Sequence, residues 1–206
     1  MFYWIFKALA GPIFRIIWLK KVEGLENVPE KGNYIIAANH SSYFDFFSLV
    51  SIWPKRIYFL AGEVFFKKWW WYPLVKLTGQ IKVDRNSEDK TEAKEKVLLF
   101  LKQGKIMGIF PEGTRSSDGN IGKTFTGVAS FSLIGKVPVI PVSIKGTYKI
   151  MSRHDKRPKF KKIIEIKIGK PMYFEEYYNS SDDKNVLREV TEKIIGEILL
   201  LSSEQI

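Results

Sequence analysis

Five short apolar runs alternate along the chain with segments of helical pattern, and this alternation limits the folds that the sequence can adopt. Each run is five or six residues long, which is typical of a buried strand. In the last run, isoleucines alternate with Glu165 and Lys167, which predicts a position near an edge of the sheet. The predicted strands are residues 34–38, 57–61, 106–110, 139–144 and 163–168.

Helical patterns lie between these runs. The clearest covers residues 91–103, where a charged first half precedes an apolar second half and Gly104 supplies a C-terminal stop. The other predicted helices are residues 44–52, 126–133 and 185–201. Strands alternating with helices predict an α/β fold in which a mixed β-sheet is flanked by helices.

Composition narrows the classes of protein. A chain of 206 residues with 45% apolar residues is long and apolar enough for one globular domain. It contains no cysteine and two histidines, which excludes disulfides and a cysteine nucleophile and argues against a metal site. The formal net charge of +11 favours a polyanionic partner, such as nucleic acid, a phosphorylated substrate or an anionic membrane.

The N-terminal segment is rich in aromatic and aliphatic residues but is interrupted by Lys7, Pro12 and Arg15. These interruptions make it a poor transmembrane helix, and it has neither the basic start nor the cleavage site of a signal peptide. We predict two short helices in the membrane interface, hinged near Gly11 and Pro12. The expected domains are therefore an anchoring segment at 1–20 and an α/β domain at 21–206.

A second aromatic cluster lies at residues 65–74, where Trp69, Trp70, Trp71 and Tyr72 follow two lysines. Tryptophan and tyrosine prefer the headgroup level of a bilayer, and lysine can reach the phosphates. An ordinary core helix is the alternative interpretation. Together with the basic charge, the two clusters favour a peripheral or monotopic protein on the cytoplasmic face of the cell membrane.

One histidine follows the first predicted strand directly, and a carboxylate comes five residues later. His40 therefore lies on a strand-to-helix turn, where Asp45 can fix one tautomer of a base that works near neutral pH. The same residues also fit a capping box, with Ser42 as the N-cap and Asp45 satisfying free amides. The motif alone leaves both interpretations open.

Three further motifs follow along the chain. Residues 110–115 (FPEGTR) follow a predicted strand and combine a glycine with an arginine whose donors match phosphate oxygens, although an ordinary turn fits too. Residues 79–85 (GQIKVDR) are a possible short strand with a terminal arginine. Residues 137–142 (VPVIPV) contain two prolines, which predict an edge or irregular strand.

In this order and spacing, the four motifs resemble the four blocks of the glycerolipid acyltransferases, and within them the bacterial branch that acylates 1-acyl-glycerol 3-phosphate. The resemblance runs from about residue 22 to about residue 144. It implies a glycerol-3-phosphate acyltransferase-like α/β fold. It also implies that His40 is the general base that deprotonates the glycerol hydroxyl, and that Asp45 orients it, so that the lipid supplies the nucleophile.

The resemblance also implies the partners. These are a lysophospholipid acceptor and a thioester donor, acyl-CoA or acyl carrier protein, with no resident cofactor or metal and no nucleic acid. Many relatives have a lysine where Phe125 stands here, and Lys123 is expected to replace it. The candidate acceptor-binding residues are Asn39, Arg85, Glu112, Gly113, Thr114, Arg115 and Lys123.

Two alternatives remain at this point. One is the same chemistry on another lysophospholipid or a lyso-aminolipid. The other is a basic module that binds membranes or nucleic acid without catalysis, for which a base with an orienting acid has no use. His154 belongs to the basic run 153–162, which we interpret as a solvated face that can attract anionic lipid or an acidic carrier protein.

Overall fold

A seven-stranded mixed sheet forms the centre of the protein. The computed structural model describes residues 2–67, 69, 72–83 and 91–203. The sheet order is β1-β7-β6-β2-β5-β3-β4, and neighbouring strands run parallel except β6 and β7. The strands are β1 (Leu19–Glu23), β2 (Ile35–Ala38), β3 (Ile57–Gly62), β4 (Ile81–Val83), β5 (Ile106–Ile109), β6 (Val139–Lys145) and β7 (Ile164–Ile168).

Helices cover both faces of this sheet. Two 3-10 turns, Leu25–Asn27 and Glu175–Ser180, complete the regular structure of the described residues. The α-helices are α1 (Phe2–Trp18), α2 (Tyr43–Ile52), α3 (Val64–Lys67), α4 (Tyr72–Leu77), α5 (Thr91–Lys102), α6 (Gly127–Gly135), α7 (Thr147–Ile150) and α8 (Lys184–Ser203). The predicted α/β fold with a mixed sheet is confirmed.

Alternation of side chains along the strands separates two apolar layers. In β2, Ile36 and Ala38 pack towards α1 and α2, whereas Ile35 and Ala37 pack towards α5, α6 and α8. Because β2 is buried on both faces, its sequence is uniformly apolar. The sheet is thus enclosed between two helical layers.

The N-terminal segment is one continuous helix, which corrects the prediction of two helices hinged at Gly11 and Pro12. Pro12 lies inside α1, although proline removes one helical hydrogen bond. Tyr3 and Phe14, on either side of it, are both buried in the same core layer. This packing holds both halves of the helix on one neighbour, α2. Within the described residues, no helix has the length and apolar character needed to cross a membrane.

One prediction about strand position is also corrected, and another is confirmed. The strand with two prolines, β6, lies inside the sheet between β7 and β2. On the side of β7, the Pro141 carbonyl accepts the N–H of Gly169, the residue directly after β7. The missing donor of Pro141 thus lies where the regular pairing of β6 with β7 has ended. Strand β7 lies next to the edge strand β1, so its predicted position near an edge is confirmed, whereas β1 itself was not predicted.

The second aromatic cluster is only partly described. Trp69 is 79% exposed and Tyr72 is also exposed, whereas Lys68, Trp70 and Trp71 lie outside the described residues. Its membrane role stays a prediction, as does the division into domains at residue 20.

Candidate active site

The predicted motifs converge at the carboxyl edge of the sheet. β2, β3, β5 and β6 are mutually parallel, so their carboxyl ends lie at one edge. His40 follows β2, and residues 110–115 follow β5. Loops at this edge are where α/β domains place their ligands.

His40 and Asp45 form a hydrogen-bonded pair. His40 Nδ1 lies 2.9 Å from Asp45 Oδ2, and the Asp45 side chain is fully buried. The backbone N–H groups of Ser41 and Ser42 donate to the same oxygen at 2.7 Å. Ser42 also caps α2, because its hydroxyl accepts the N–H of Phe44. The two interpretations therefore coexist, since Asp45 closes a capping box and contacts the histidine with one oxygen.

The backbone of His40 is held from both sides by the loop after β5. Its N–H donates to Glu112 Oε1 at 2.7 Å, and its carbonyl accepts the N–H of Ser116 at 2.8 Å. Glu112 Oε2 accepts the N–H of Gly122 at 3.5 Å. Burial raises the pKa of the Glu112 carboxyl, and the two amide donors oppose that rise. The structure thus places Glu112 as a support for His40 in the wall of the site.

The imidazole and the α2 N-terminus have further fixed contacts. The ring of Phe110 stacks on that of His40, with centroids 4.1 Å apart and an angle of 14°. The Ser41 hydroxyl lies 3.0 Å from that of Thr147, and Ser42 donates its hydroxyl proton to the Met151 carbonyl at 2.6 Å. His40 is thereby held in place before any substrate arrives.

A cavity of about 550 Å³ opens beside this pair. His40, Glu112, Thr114 and Arg115 supply polar groups to its wall. Most other lining residues are apolar, and they come from α2, β3, α4, β4 and β5. They include Phe46, Phe47, Phe59, Leu60, Ala61, Val75, Val83 and Ile109. A volume and composition of this kind suit a ligand with one polar and one apolar part.

Arg115 is positioned by an aromatic side chain of α2. Its guanidinium carbon lies 3.7 Å from the centre of the Tyr43 ring, and one of its N–H groups donates to the Tyr43 hydroxyl at 3.1 Å. Gly113 adopts a φ of +65°, and a Cβ there would lie 3.3 Å from the Phe125 ring. The turn therefore brings Gly113, Thr114 and Arg115 together at the cavity.

Two of the predicted substrate-binding residues, Asn39 and Lys123, do not line the cavity. The Asn39 side chain donates to the Ile144 carbonyl at 2.9 Å and accepts the Ile144 N–H at 2.8 Å, so it joins β2 to β6. Lys123 is exposed and does not line the cavity, because Phe125 packs beside Gly113 and lines it instead. Arg85 lies outside the described residues.

Sequence reasoning missed several residues of the site. Tyr43 stands three positions after His40, and Phe110 is the first residue of the motif 110–115, so their places in the motifs could have indicated both. Thr147 and the apolar side chains of β3 carried no such signal. Their role depends on the neighbours that the fold gives them.

The sequence of the chain matches the model of a known protein family. The model of the Acyltransferase family matches residues 20–145, which is more than half of the chain and contains all four motifs. The chain belongs to the acyltransferase family. The predicted family is thus confirmed, and its predicted limits of about 22 and 144 agree with the match.

Curated relatives of this acyltransferase carry a common name. A 1-acyl-sn-glycerol-3-phosphate acyltransferase of Bacillus subtilis is 34% identical over 127 residues, which are 61% of this chain and 62% of that protein. A chloroplastic 1-acyl-sn-glycerol-3-phosphate acyltransferase of Arabidopsis thaliana is 29% identical over 146 residues, 68% of this chain and 38% of that protein. The chain thus spans less than two thirds of the length of these curated relatives.

The fold of this acyltransferase matches a solved structure. The crystal structure of the 1-acyl-sn-glycerophosphate acyltransferase PlsC from Thermotoga maritima superposes with a TM-score of 0.76. The match covers 99% of this chain and 81% of that one at 24% identity. At this identity the likeness concerns the fold.

Proposed function

We propose that the protein transfers a fatty acyl group from a thioester donor to the sn-2 hydroxyl of 1-acyl-sn-glycerol 3-phosphate, which yields phosphatidate. The observation that carries this proposal is the His40–Asp45 pair in the wall of a cavity with a polar end and an apolar wall. The names of the curated relatives support the choice of acceptor.

The chemistry assigns His40 as a general base. With its Nδ1–H donated to Asp45, the imidazole carries its lone pair on Nε2, which accepts the proton of the acceptor hydroxyl. The oxygen attacks the thioester carbonyl carbon, the carbon–sulfur bond breaks, and His40 returns the proton to the leaving thiolate. Asp45 stabilises the imidazolium that forms between these steps. No nucleophile from the protein takes part.

Arg115 is the proposed partner of the acceptor phosphate, together with Thr114 and the backbone of Gly113. Its guanidinium offers several donors in one plane, and Tyr43 keeps it at the cavity wall. Arg85 and Lys123 are additional proposed contacts, as is Asn39 if the β2–β6 link opens. The acyl chain is proposed to bind along the apolar wall formed by α2, β3 and α4.

The donor is a substrate, either acyl-CoA or acyl carrier protein, and we propose no resident cofactor. We also propose that the protein acts at the cytoplasmic face of the cell membrane as a peripheral or monotopic protein. The apolar side chains that α1 leaves exposed support this location, since a lipid surface can cover them.

The test is an acyl-transfer assay with purified full-length protein, in which acyl-CoA and acyl carrier protein are each offered with 1-acyl-glycerol 3-phosphate. Phosphatidate is the expected product with at least one donor. An acceptor panel of other lysophospholipids and a lyso-aminolipid tests the headgroup. Faster acylation of another acceptor would overturn the assignment of lysophosphatidate, and transfer to none of them would overturn the activity.

A further inference from the structure

The loop of residues 153–162 carries a dense run of basic side chains. Its six lysines and arginines and one aspartate give a net charge of +5 with His154 neutral. All six are exposed, and none of them forms an ion pair within the described part of the chain. They are Arg153, Lys156, Arg157, Lys159, Lys161 and Lys162.

An exposed aromatic ring stands among these charges. Phe160 is 75% exposed, and its ring stacks on Trp18 with centroids 5.6 Å apart and an angle of 25°. The indole N–H of Trp18 donates to the Lys159 carbonyl at 2.9 Å. Since Trp18 is the last residue of α1, the loop is attached to the C-terminal end of that helix.

The loop has internal and neighbouring hydrogen bonds that fix its backbone. The N–H of Lys159 donates to the Ile150 carbonyl at 2.9 Å, which ties the loop to α7. The N–H of Ser152 donates to Asp155 Oδ2 at 2.8 Å, and the N–H of His154 donates to the Ser152 hydroxyl at 3.2 Å. A surface that is ordered in advance loses less entropy when it binds a partner.

The helix to which the loop is attached presents its own apolar stripe. Ile5, Leu9, Ile13 and Ile16 are all exposed, at spacings of four, four and three residues that place them on one side of α1. The basic loop is attached to the C-terminal end of the same helix through Trp18.

We propose that residues 153–162, together with Trp18, form a docking surface for an anionic lipid bilayer. In this arrangement Phe160 enters the headgroup layer while the surrounding lysines and arginines meet lipid phosphates. A bilayer matches both the charge and the apolar side chains, whereas an acidic carrier protein matches mainly the charge. The inference rests on the membrane location in the proposed function. It adds a second membrane-binding surface, in a loop that is distant from α1 in sequence.

Vesicle co-sedimentation tests this surface. Vesicles of phosphatidylcholine, alone or with about 30% phosphatidylglycerol, are the probes. Changing Lys159, Lys161 and Lys162 together to Gln is expected to weaken binding to the anionic vesicles about 100-fold and to leave binding to neutral vesicles unchanged. Phe160→Ala is expected to weaken binding to both kinds of vesicle about tenfold.

Matched controls come from α5, which covers the opposite face of the sheet. Lys94, Lys96 and Lys102 are exposed there, as is Leu99. Changing the three lysines to Gln removes the same charge, and Leu99→Ala removes an exposed apolar side chain. Vesicle binding should stay at the wild-type level in both. Equal losses in the α5 variants and the loop variants would overturn the proposal, because net charge alone would then explain the binding.

Two further measurements distinguish a bilayer from a carrier protein as the partner, and the docking surface from the proposed activity. If the loop lysine variant bound anionic vesicles normally but lost affinity for an acidic acyl carrier protein, the surface would be a carrier site and the bilayer proposal would be wrong. Acyl transfer in non-ionic detergent micelles should be unchanged in all of these variants. An inactive wild-type protein would refute the proposed function, while the vesicle results would still decide the docking surface.

Discussion

Asp45 accepts hydrogen bonds from both the start of α2 and His40, the proposed base, with a single oxygen. Oδ2 accepts from Ser41, Ser42 and His40, whereas Oδ1 is buried without a hydrogen-bond partner in the described part of the chain. Asp45→Asn can keep the accepting oxygen but loses the charge that stabilises an imidazolium. We expect the acyl-transfer rate to fall about 10²- to 10⁴-fold. The free energy of unfolding should fall by about 1–3 kcal/mol, because the amide NH₂ is buried unpaired.

A neighbouring buried serine provides the control for this variant. Ser48 also lies in α2, is fully buried, and its hydroxyl has no partner within the described residues. Ser48→Ala should leave the rate unchanged and stability equal or higher. Acyl-transfer assays measure the rate, and denaturation followed by circular dichroism measures stability. A similar loss of rate in both variants would mean that Asp45 serves the fold and has no separate role in catalysis.

Glu112 predicts a pH dependence of stability. Burial raises its pKa in the folded state, so the folded protein binds more protons than the unfolded chain between the two pKa values. Wild-type stability therefore declines as pH rises through that interval. Glu112→Gln removes the titration, so its stability relative to wild type should increase as the pH rises above the ordinary glutamate pKa of 4.5. Urea denaturation at several pH values measures this, and a decrease over that interval would contradict it.

Helix α1 is part of the core as well as a proposed lipid contact. Phe14 is 7% exposed and packs near Phe44 and Phe47, whereas Ile16 in the same helix is 70% exposed. Phe14→Ala should lower the free energy of unfolding by about 3–5 kcal/mol. Ile16→Ala should change it by less than about 0.5 kcal/mol. Equal effects in thermal denaturation would mean that α1 is not packed on α2 in solution.

Gly108 in strand β5 packs against a side chain that lines the cavity. A Cβ on Gly108 would lie 2.3 Å from the Phe59 ring, which lines the cavity and stacks at 5.7 Å on Phe110. Gly108→Ala should therefore cost about 1–3 kcal/mol and push the ring into the proposed acyl site. Assays with donors of different chain length should show a shift towards shorter chains.

The same substitution in a helix serves as the comparison. Gly196 lies in α8, and no atom comes within 4 Å of a Cβ placed there. Gly196→Ala should stabilise the protein by up to about 1 kcal/mol and leave chain-length preference unchanged. Unaltered preference in the Gly108 variant would show that Phe59 does not limit the cavity.

Most elements of this fold could be predicted because their apolar pattern is local. The strand at 106–110 and the helix at 91–103 are found within one residue of the predicted ends. The edge strand β1 was missed, because LKKVE has no apolar run and is fixed by pairing with β7. The prolines of β6 wrongly predicted an edge strand, because the sequence does not show that Pro141 lies where the regular pairing with β7 ends.

At the scale of the whole fold, the sequence indicated which side chains meet in the site but not which contacts hold them there. The His40–Asp45 pair follows from a spacing of five residues, and the structure confirms that the two side chains touch. The bonds from Glu112 and Ser116 to the His40 backbone connect residues more than 70 positions apart, and no local pattern encodes them. The same holds for the attachment of residues 153–162 to Trp18.

The central claim is that His40 removes the proton from the acceptor hydroxyl. The most direct measurement is the rate of acyl transfer to 1-acyl-glycerol 3-phosphate by wild type and His40→Ala at saturating substrates. Circular dichroism and thermal denaturation establish that both are folded. The account predicts a loss of about 10²- to 10⁴-fold or more in kcat, with KM for the acceptor little changed. A folded His40→Ala protein with the wild-type rate would contradict it.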